Sequence, residues 1–193
     1  MLPVYAELYC RSNFSFQQGA SHPKELVDTA YKLGYRAIAI TDECSLAGSV
    51  RAHTHYRKML SDKKLSPDTS DFRIIVGASF KVGESYLVLL AQSRSGYGDL
   101  CELITKSRRG TIKGTYRLDI CDLSCLRDCY AIIIPTEDCN ELLRATEKID
   151  RAIGFSRLLT ATDALFFEHA QNVATQYKLP MTACGDVDRK SVV

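Results

Sequence analysis

Arg36-Ala37-Ile38-Ala39-Ile40-Thr41 is an almost uninterrupted apolar run, and two carboxylates, Asp42 and Glu43, follow it at once. A strand with one wet face alternates apolar and polar residues; a strand covered on both faces reads as this one does. Helices must therefore flank it. Upstream, Ser21 as N-cap and Pro23 in the first turn signal a helix whose Leu26, Val27, Ala30 and Leu33 share one face until Gly34 stops it. Downstream, a second helix is expected from about Leu46 to Leu60.

The alternation extends to both ends of the chain. Val4 to Leu8 reads as a first strand and Cys10 to Ala20 as the loop after it. Ser61 to Asp71 is polar and reads as a surface loop. Ile74-Ile75-Val76 and Tyr86 to Leu90 read as strands with a turn at Gly83-Glu84, and Tyr97, Leu100, Leu103 and Ile104 have helical spacing. Ser107 to Tyr116 is a basic, glycine-containing loop. Then follow a strand at Tyr130–Ile134, a helix at Glu141–Ala152, a strand at Ser156–Thr160, a helix at Asp163–Tyr177 and a last strand at Met181–Cys184. This order predicts an α/β fold with mostly parallel strands. No repeat or linker divides residues 1–193, which are read as a single domain. The chain stops nine residues after Cys184 with no helix to cover that strand, so a fragment or truncated relative of something longer is expected.

Composition narrows the class. The 193 residues suffice for a real core, and 46% hydrophobic with 25% charged residues is the profile of a globular chain. A net charge of +2 does not by itself argue for a nucleic-acid partner, so any basic patch must be local. The N-terminus has neither the basic nor the apolar region of a secretory signal. No apolar run approaches the roughly 20 residues of a membrane helix. A cytoplasmic protein without a membrane partner is expected, its eight cysteines reduced.

In parallel α/β folds, reactive side chains gather just past the C-terminal ends of the strands. Those positions here are Tyr9, Cys10 and Arg11, then Asp42 and Glu43, then Ser79, then Asp186 and Asp188. Four carboxylates on one face could hold a hard cation through oxygen ligands. Equally, Asp42 could cap the next helix, with Asp186 and Asp188 as turn residues.

The same positions carry a family resemblance. Tyr5-Ala6-Glu7-Leu8-Tyr9-Cys10-Arg11-Ser12-Asn13-Phe14-Ser15-Phe16, with Gly19-Ala20-Ser21-His22-Pro23, resembles the opening of bacterial C-family error-prone DNA polymerases, relatives of the polymerase III α subunit. So do Ala39 to Gly48, Arg51-Ala52-His53, Val76-Gly77-Ala78, Gly96 to Cys101, Leu103-Ile104-Thr105, Lys113-Gly114, Tyr116-Arg117-Leu118 and Cys184-Gly185-Asp186-Val187. The resemblance implies a PHP (polymerase and histidinol phosphatase) domain, a distorted, TIM-like barrel of about seven β/α units. It implies Zn or Mn held by His, Asp and Glu at the strand ends of intact members. It also implies a parent enzyme that synthesises DNA in damage tolerance and repair, with accessory proteins and a sliding clamp as partners.

Carried over position by position, the family's first paired histidines fall on Tyr9 and Arg11, and the next acidic ligand on Gln18. The Asp-His motif becomes Asp42-Glu43, the acidic residue after the Ile74 strand becomes Ser79, and the closing Gly-Asp-x-His keeps Asp186 but has Asp188. A cation cluster needs neutral imidazoles and carboxylates pointing inward. Arg11 brings a charge that cannot be titrated away, and one unit-charge contact at about 4 Å is worth roughly 4 kcal/mol at an effective dielectric near 20. The expectation is no functional metal cluster and no cofactor, Arg11 neutralising Asp42, Glu43, Asp186 or Asp188, and Tyr9 filling volume beside it.

Other candidates are weaker. Cys121, Cys125 and Cys129 would share a face if helical, but the paired spacing of a zinc site is absent. His53 and His55 should point to different faces, and His22 should serve the first turn of its helix. Lys106, Arg108, Arg109 and Lys113 make the densest basic segment, able to touch phosphates or to be a solvated loop. No Walker, Rossmann or GxSxG motif is present. The reading is a degenerate PHP domain acting as scaffold in a parent polymerase. A residual metal-dependent phosphoesterase, a free-standing truncated adaptor and an unrelated α/β interaction protein are the alternatives.

Overall fold

The computed structural model describes residues 5–62, 71–136 and 138–188. The elements are β1 (Ala6–Cys10), α1 (Pro23–Lys32), β2 (Ala37–Ile40), α2 (Ala47–Ser61), β3 (Arg73–Val82), β4 (Ser85–Ala91), α3 (Arg94–Arg108) and a 3-10 turn (Ile120–Cys125). They continue with β5 (Cys129–Ile134), α4 (Asn140–Ala145), β6 (Arg151–Ser156), α5 (Asp163–Tyr177) and β7 (Met181–Cys184). The seven strands form one sheet in chain order.

Neighbouring strands are parallel except around β4, which is antiparallel to both β3 and β5. The cause is local. Val82 pairs with Ser85, and Gly83 takes φ +61° in the two-residue turn between them, so β4 folds straight back where a crossover helix would otherwise stand. The turn matches the sequence reading, but the strand before it is longer than the expected Ile74–Val76 and carries Ser79 within it.

The continuous burial of β2 has two sources. Ile38 and Ile40 pack outward with Leu26, Val27 and Ala30 of α1 and Ala52 of α2. Ala39 faces inward with Tyr9, Val88, Leu90, Ile132 and Cys184, one layer of the barrel interior. A larger outer cluster joins Phe80, Leu87 and Leu89 of the β3–β4 hairpin to Leu100 and Leu103 of α3 and to Ala170 and Val173 of α5. Burying one such leucine stabilises by about 1.5–3 kcal/mol.

Among the described residues, the barrel closes between β1 and β7 by very few main-chain bonds. Cys10 and Val187 form a parallel bridge, with Arg11 N donating to Val187 O at 2.8 Å and Val187 N to Tyr9 O at 3.0 Å. Beside it a side chain takes over from the ladder. The carboxylate of Glu7, 1% exposed, accepts from Tyr9 N at 2.8 Å, Gly185 N at 3.0 Å and the Tyr5 hydroxyl at 2.8 Å. A Cβ at position 185 would lie 2.1 Å from Glu7 Oε2, so only glycine lets the last strand come this close.

Several boundaries differ from the sequence reading. Tyr9 and Cys10 end the first strand rather than follow it, and Val4 lies outside the described residues. His22, not Ser21, is the N-cap of α1: Pro23 opens the helix, and His22 N donates to the Glu25 carboxylate. The helix expected over Glu141–Ala152 ends at Ala145. Thr146 turns its hydroxyl onto Leu142 O, and the guanidinium of Arg151 donates to Leu143 O, so the freed segment joins the sheet as β6. The strand expected at Ser156–Thr160 is only the end of β6 and a loop. Cys121 and Cys125 sit in the 3-10 turn and Cys129 opens β5, so the three do not share a helix face. All eight cysteines stand outside disulfides. Of the polar stretch Ser61–Asp71, residue 61 ends α2 and residues 63–70 lie outside the described residues.

Burial pushes the Glu7 carboxyl above its ordinary value of 4.5, against the pull of its three donors. A raised acid is most compatible with the fold while protonated, so its contribution is complete below about 4.5 and is lost as pH rises through the folded value. Glu7→Gln should remove this component. Urea midpoints from about pH 4 to pH 7 should rise for the variant relative to wild type, and parallel profiles would show that Glu7 ionises freely in the seam.

Candidate functional site at the barrel mouth

The mouth is crossed by one line of polar side chains. Arg11, just past β1, places NH2 2.5 Å from Asp186 Oδ1, just past β7, and NH1 2.7 Å from the side-chain oxygen of Gln18. The amide of Gln18 donates to one oxygen of Glu43, and the Tyr116 hydroxyl donates to the other at 2.6 Å. The same Tyr116 oxygen accepts from Lys81 N at 2.8 Å. The Arg11 guanidinium also stands 5.2 Å from the ring centre of Tyr9, which is 3% exposed. Asp186 adopts φ +48°, a left-handed conformation that Asp tolerates better than most residues and that turns its carboxylate back toward β1.

Asp42 is not part of this line. It is fully buried, with Oδ1 accepting from Ser12 N at 2.7 Å and from the Ser15 hydroxyl at 2.8 Å, and Oδ2 from the Ser12 hydroxyl at 2.8 Å. Burial raises its pKa, while the bonds from Ser15 and Ser12 pull the other way. Gly48 of α2 makes the space: a Cβ there would lie 1.9 Å from Asp42 Oδ2. Asp42 does not cap α2, whose N-cap is Leu46. Ser79, 2% exposed, donates its hydroxyl to Thr41 O at 2.8 Å and receives Cys44 N on its main-chain oxygen. At Asp188 the main-chain oxygen accepts from Ala20 N at 2.7 Å.

Of the four carboxylates open to Arg11 on the sequence, the fold selects Asp186. Gln18 links the guanidinium to Glu43 at second hand, and Asp42 is satisfied by hydroxyls. Burial raises the Asp186 pKa and Arg11 opposes it. Such a donor set does not fit a cation cluster. The Arg11 guanidinium lies against Asp186, and the best-buried carboxylate, Asp42, is already surrounded by hydrogen-bond donors. Among the described residues, no three His, Cys, Asp or Glu side chains are grouped so as to hold a metal ion.

Tyr116, Ser12, Ser15 and Glu7 were not singled out in the sequence. The two hydroxyls, three residues apart in a loop, are the type that binds nearby polar groups, and Glu7 is a carboxylate inside an apolar strand. Tyr116 offered no local signal, because Glu43 is 73 positions away. The basic segment is partly committed. Lys106 lies within α3 and pairs with Glu102 at 3.0 Å and Asp122 at 3.7 Å, while Arg108 Nε donates to Cys44 O at 3.0 Å. Arg109 and Lys113 are exposed. His55 pairs with Asp28 at 2.8 Å, whereas His53 faces solvent, as their spacing implied.

A seven-stranded barrel with a polar cluster at the strand ends defines a class, and comparison with known proteins agrees. Residues 7–178 match the PHP domain model, and the chain belongs to the PHP domain family. Within it, the chain is 43% identical over 190 residues to an error-prone DNA polymerase of Vibrio vulnificus (strain CMCP6), a match covering 95% of this chain and 18% of that protein. It is 40% identical over 212 residues to an error-prone DNA polymerase of Azoarcus sp. (strain BH72), covering 96% and 20%. The chain thus spans about a fifth of the length of these relatives.

Solved structures share the fold. A candidate metal-dependent phosphoesterase of Bifidobacterium adolescentis superposes with TM-score 0.63 at 13% identity, over 97% of this chain and 89% of that one. An amidohydrolase of Chromobacterium violaceum, with bound sulfate and no metal, gives 0.62 at 14% identity, over 96% and 88%.

Arg11→Met should test the ion pair. Its partners' side chains are 14% and 24% exposed, so the loss should be about 2 kcal/mol at neutral pH, below that of a fully buried pair. Without the guanidinium the Asp186 pKa rises further, so the deficit should shrink as pH falls and the carboxyl protonates. Thermal unfolding across that range measures it; a deficit independent of pH would mean that packing, not charge, holds Arg11.

Proposed function

We propose that residues 1–193 act as the single N-terminal PHP domain of an error-prone DNA polymerase, as structural support and not as a phosphoesterase. The metal positions implied by the resemblance (Tyr9, Arg11, Gln18, Asp42, Glu43, Ser79, Asp186 and Asp188) are, in this reading, converted into an ion-paired and hydrogen-bonded plug. The observation that carries it is the 2.5 Å contact between Arg11 and Asp186 at the place where cations would have to sit. DNA synthesis would belong to other parts of the parent polypeptide, since the relatives are about five times longer than the matched region. The remaining polymerase domains would be its immediate partners. DNA, damage-tolerance accessory proteins and the sliding clamp would be reached through the parent enzyme, in the cytoplasm. No helix among the described residues is long and apolar enough to cross a membrane.

The test is chemical. Protein purified without chelators should hold far less than one equivalent of zinc or manganese by elemental analysis. With added manganese it should hydrolyse an aryl phosphate no faster than Asp42→Asn. Stoichiometric metal, or manganese-dependent hydrolysis that Asp42→Asn abolishes, would replace the plug with a residual phosphoesterase.

A further inference from the structure

Phe14 stands where two grooves meet. On one side it borders a groove of about 490 Å³ with Phe16, Gln17, Arg108 and Thr115. On the other it borders a groove of about 400 Å³ whose rim carries Lys24, Arg51 and Lys58. Phe14 is 41% and Phe16 85% exposed. Neither ring hangs on a loose loop. Ser15 N and Gly19 N donate to Ser12 O and Ser15 O, each at 2.9 Å, and the Ser12 and Ser15 hydroxyls are anchored on buried Asp42. The rings are therefore held out to solvent on a braced platform, at a cost in apolar exposure that local packing does not relieve.

Charge gathers beside them. Five of the chain's 25 Lys and Arg (Lys106, Arg108, Arg109, Lys113 and Arg117) fall between Leu103 and Leu118, with no Asp or Glu among them, so elsewhere the 23 carboxylates outnumber the cations. The loop that follows α3 is shaped by its own bonds, Arg117 N to Ser107 O at 2.8 Å and Thr115 N to Ile112 O at 3.0 Å. Arg108 donates Nε to Cys44 O at 3.0 Å and remains exposed. Carboxylates near the grooves are engaged: Glu43 by Tyr116 and Gln18, Asp28 by His55, and Glu25 by His22 N.

Rigid, exposed phenyl rings flanked by cations on both sides match a ligand with flat apolar faces and regularly spaced anions. An unpaired nucleotide chain has both, whereas a duplex keeps its base faces stacked inside. We propose that the two grooves form one track for single-stranded nucleic acid, with bases stacked on Phe14 and Phe16 and phosphates set against Arg51 and Lys58 on one side and Arg108 and Lys113 on the other. The track lies on the rim of the barrel and does not depend on whether the mouth binds metal or the parent enzyme is a polymerase.

Fluorescence anisotropy of the full chain with labelled oligodeoxyuridylate and oligouridylate of about 16 nucleotides tests it. The chain should bind at least one of them at low salt, more tightly than the corresponding duplex, and the tighter probe identifies the sugar. Phe16→Ala should weaken binding about 5- to 150-fold, the range for loss of one stacked base, and Phe16→Trp should restore it. Arg51→Glu should flatten the dependence of log affinity on log salt by about 0.7 or more, as one or more phosphate contacts are lost. All these positions are exposed, and unchanged circular dichroism would exclude misfolding as the cause. Absence of binding, equal or tighter binding of duplex, or affinity untouched by Phe16→Ala would overturn the proposal.

Discussion

A barrel must join its first strand to its last, and among the described residues that closure has few main-chain bonds to rely on. Two hydrogen bonds between Tyr9, Arg11 and Val187 make the ladder, and side chains do the rest. Glu7 reaches across to Gly185 on one side of them, and on the other Arg11 meets Asp186, a residue 175 positions away. The seam is therefore electrostatic at the point where a sheet would ordinarily be zipped by its backbone. The polar line at the mouth starts from this seam, because it sets the Arg11 guanidinium against the carboxylate just past β7.

Once it is there, the neighbouring carboxylates are arranged around it. Asp186 takes its charge and Gln18 passes its hydrogen bonding on to Glu43, which Tyr116 then shares. Buried ion pairs are weak sources of net stability, since desolvation offsets most of the attraction. Their consequence here is geometric: each member has a partner, and the line fixes how the loops after β1, β2 and α3 sit relative to one another. Asp42 works differently. It holds hydroxyls and an amide rather than opposite charge, and so stiffens the loop that carries Phe14 and Phe16. Asp42 is thus the anchor of that loop.

Likeness in fold and likeness in chemistry separate at this point. The solved structures that superpose on this chain share only about an eighth of its residues, whereas the polymerase relatives share about two-fifths. Barrels of one shape can present quite different side chains at their strand ends, so the shape alone decides little about what happens there.

The covered strand Arg36–Thr41, the helix of Leu26, Val27 and Ala30 and the Gly83 turn were legible in the sequence, because each depends on periodicity or on one residue's backbone preference; of the strand-end positions, Tyr9, Cys10 and Ser79 lie inside their strands. Resemblance added that histidines were missing and that an arginine stood in their place. Only the tertiary structure decided that Arg11 would choose Asp186, that Asp42 would be satisfied by two serines, that Tyr116 would reach Glu43, and that residues 151–156 would leave a helical pattern to become β6. Local patterns record which faces of a segment are apolar. Which charge finds which partner is settled by barrel closure, which joins residues far apart in the chain and leaves no trace in the spacing around either of them.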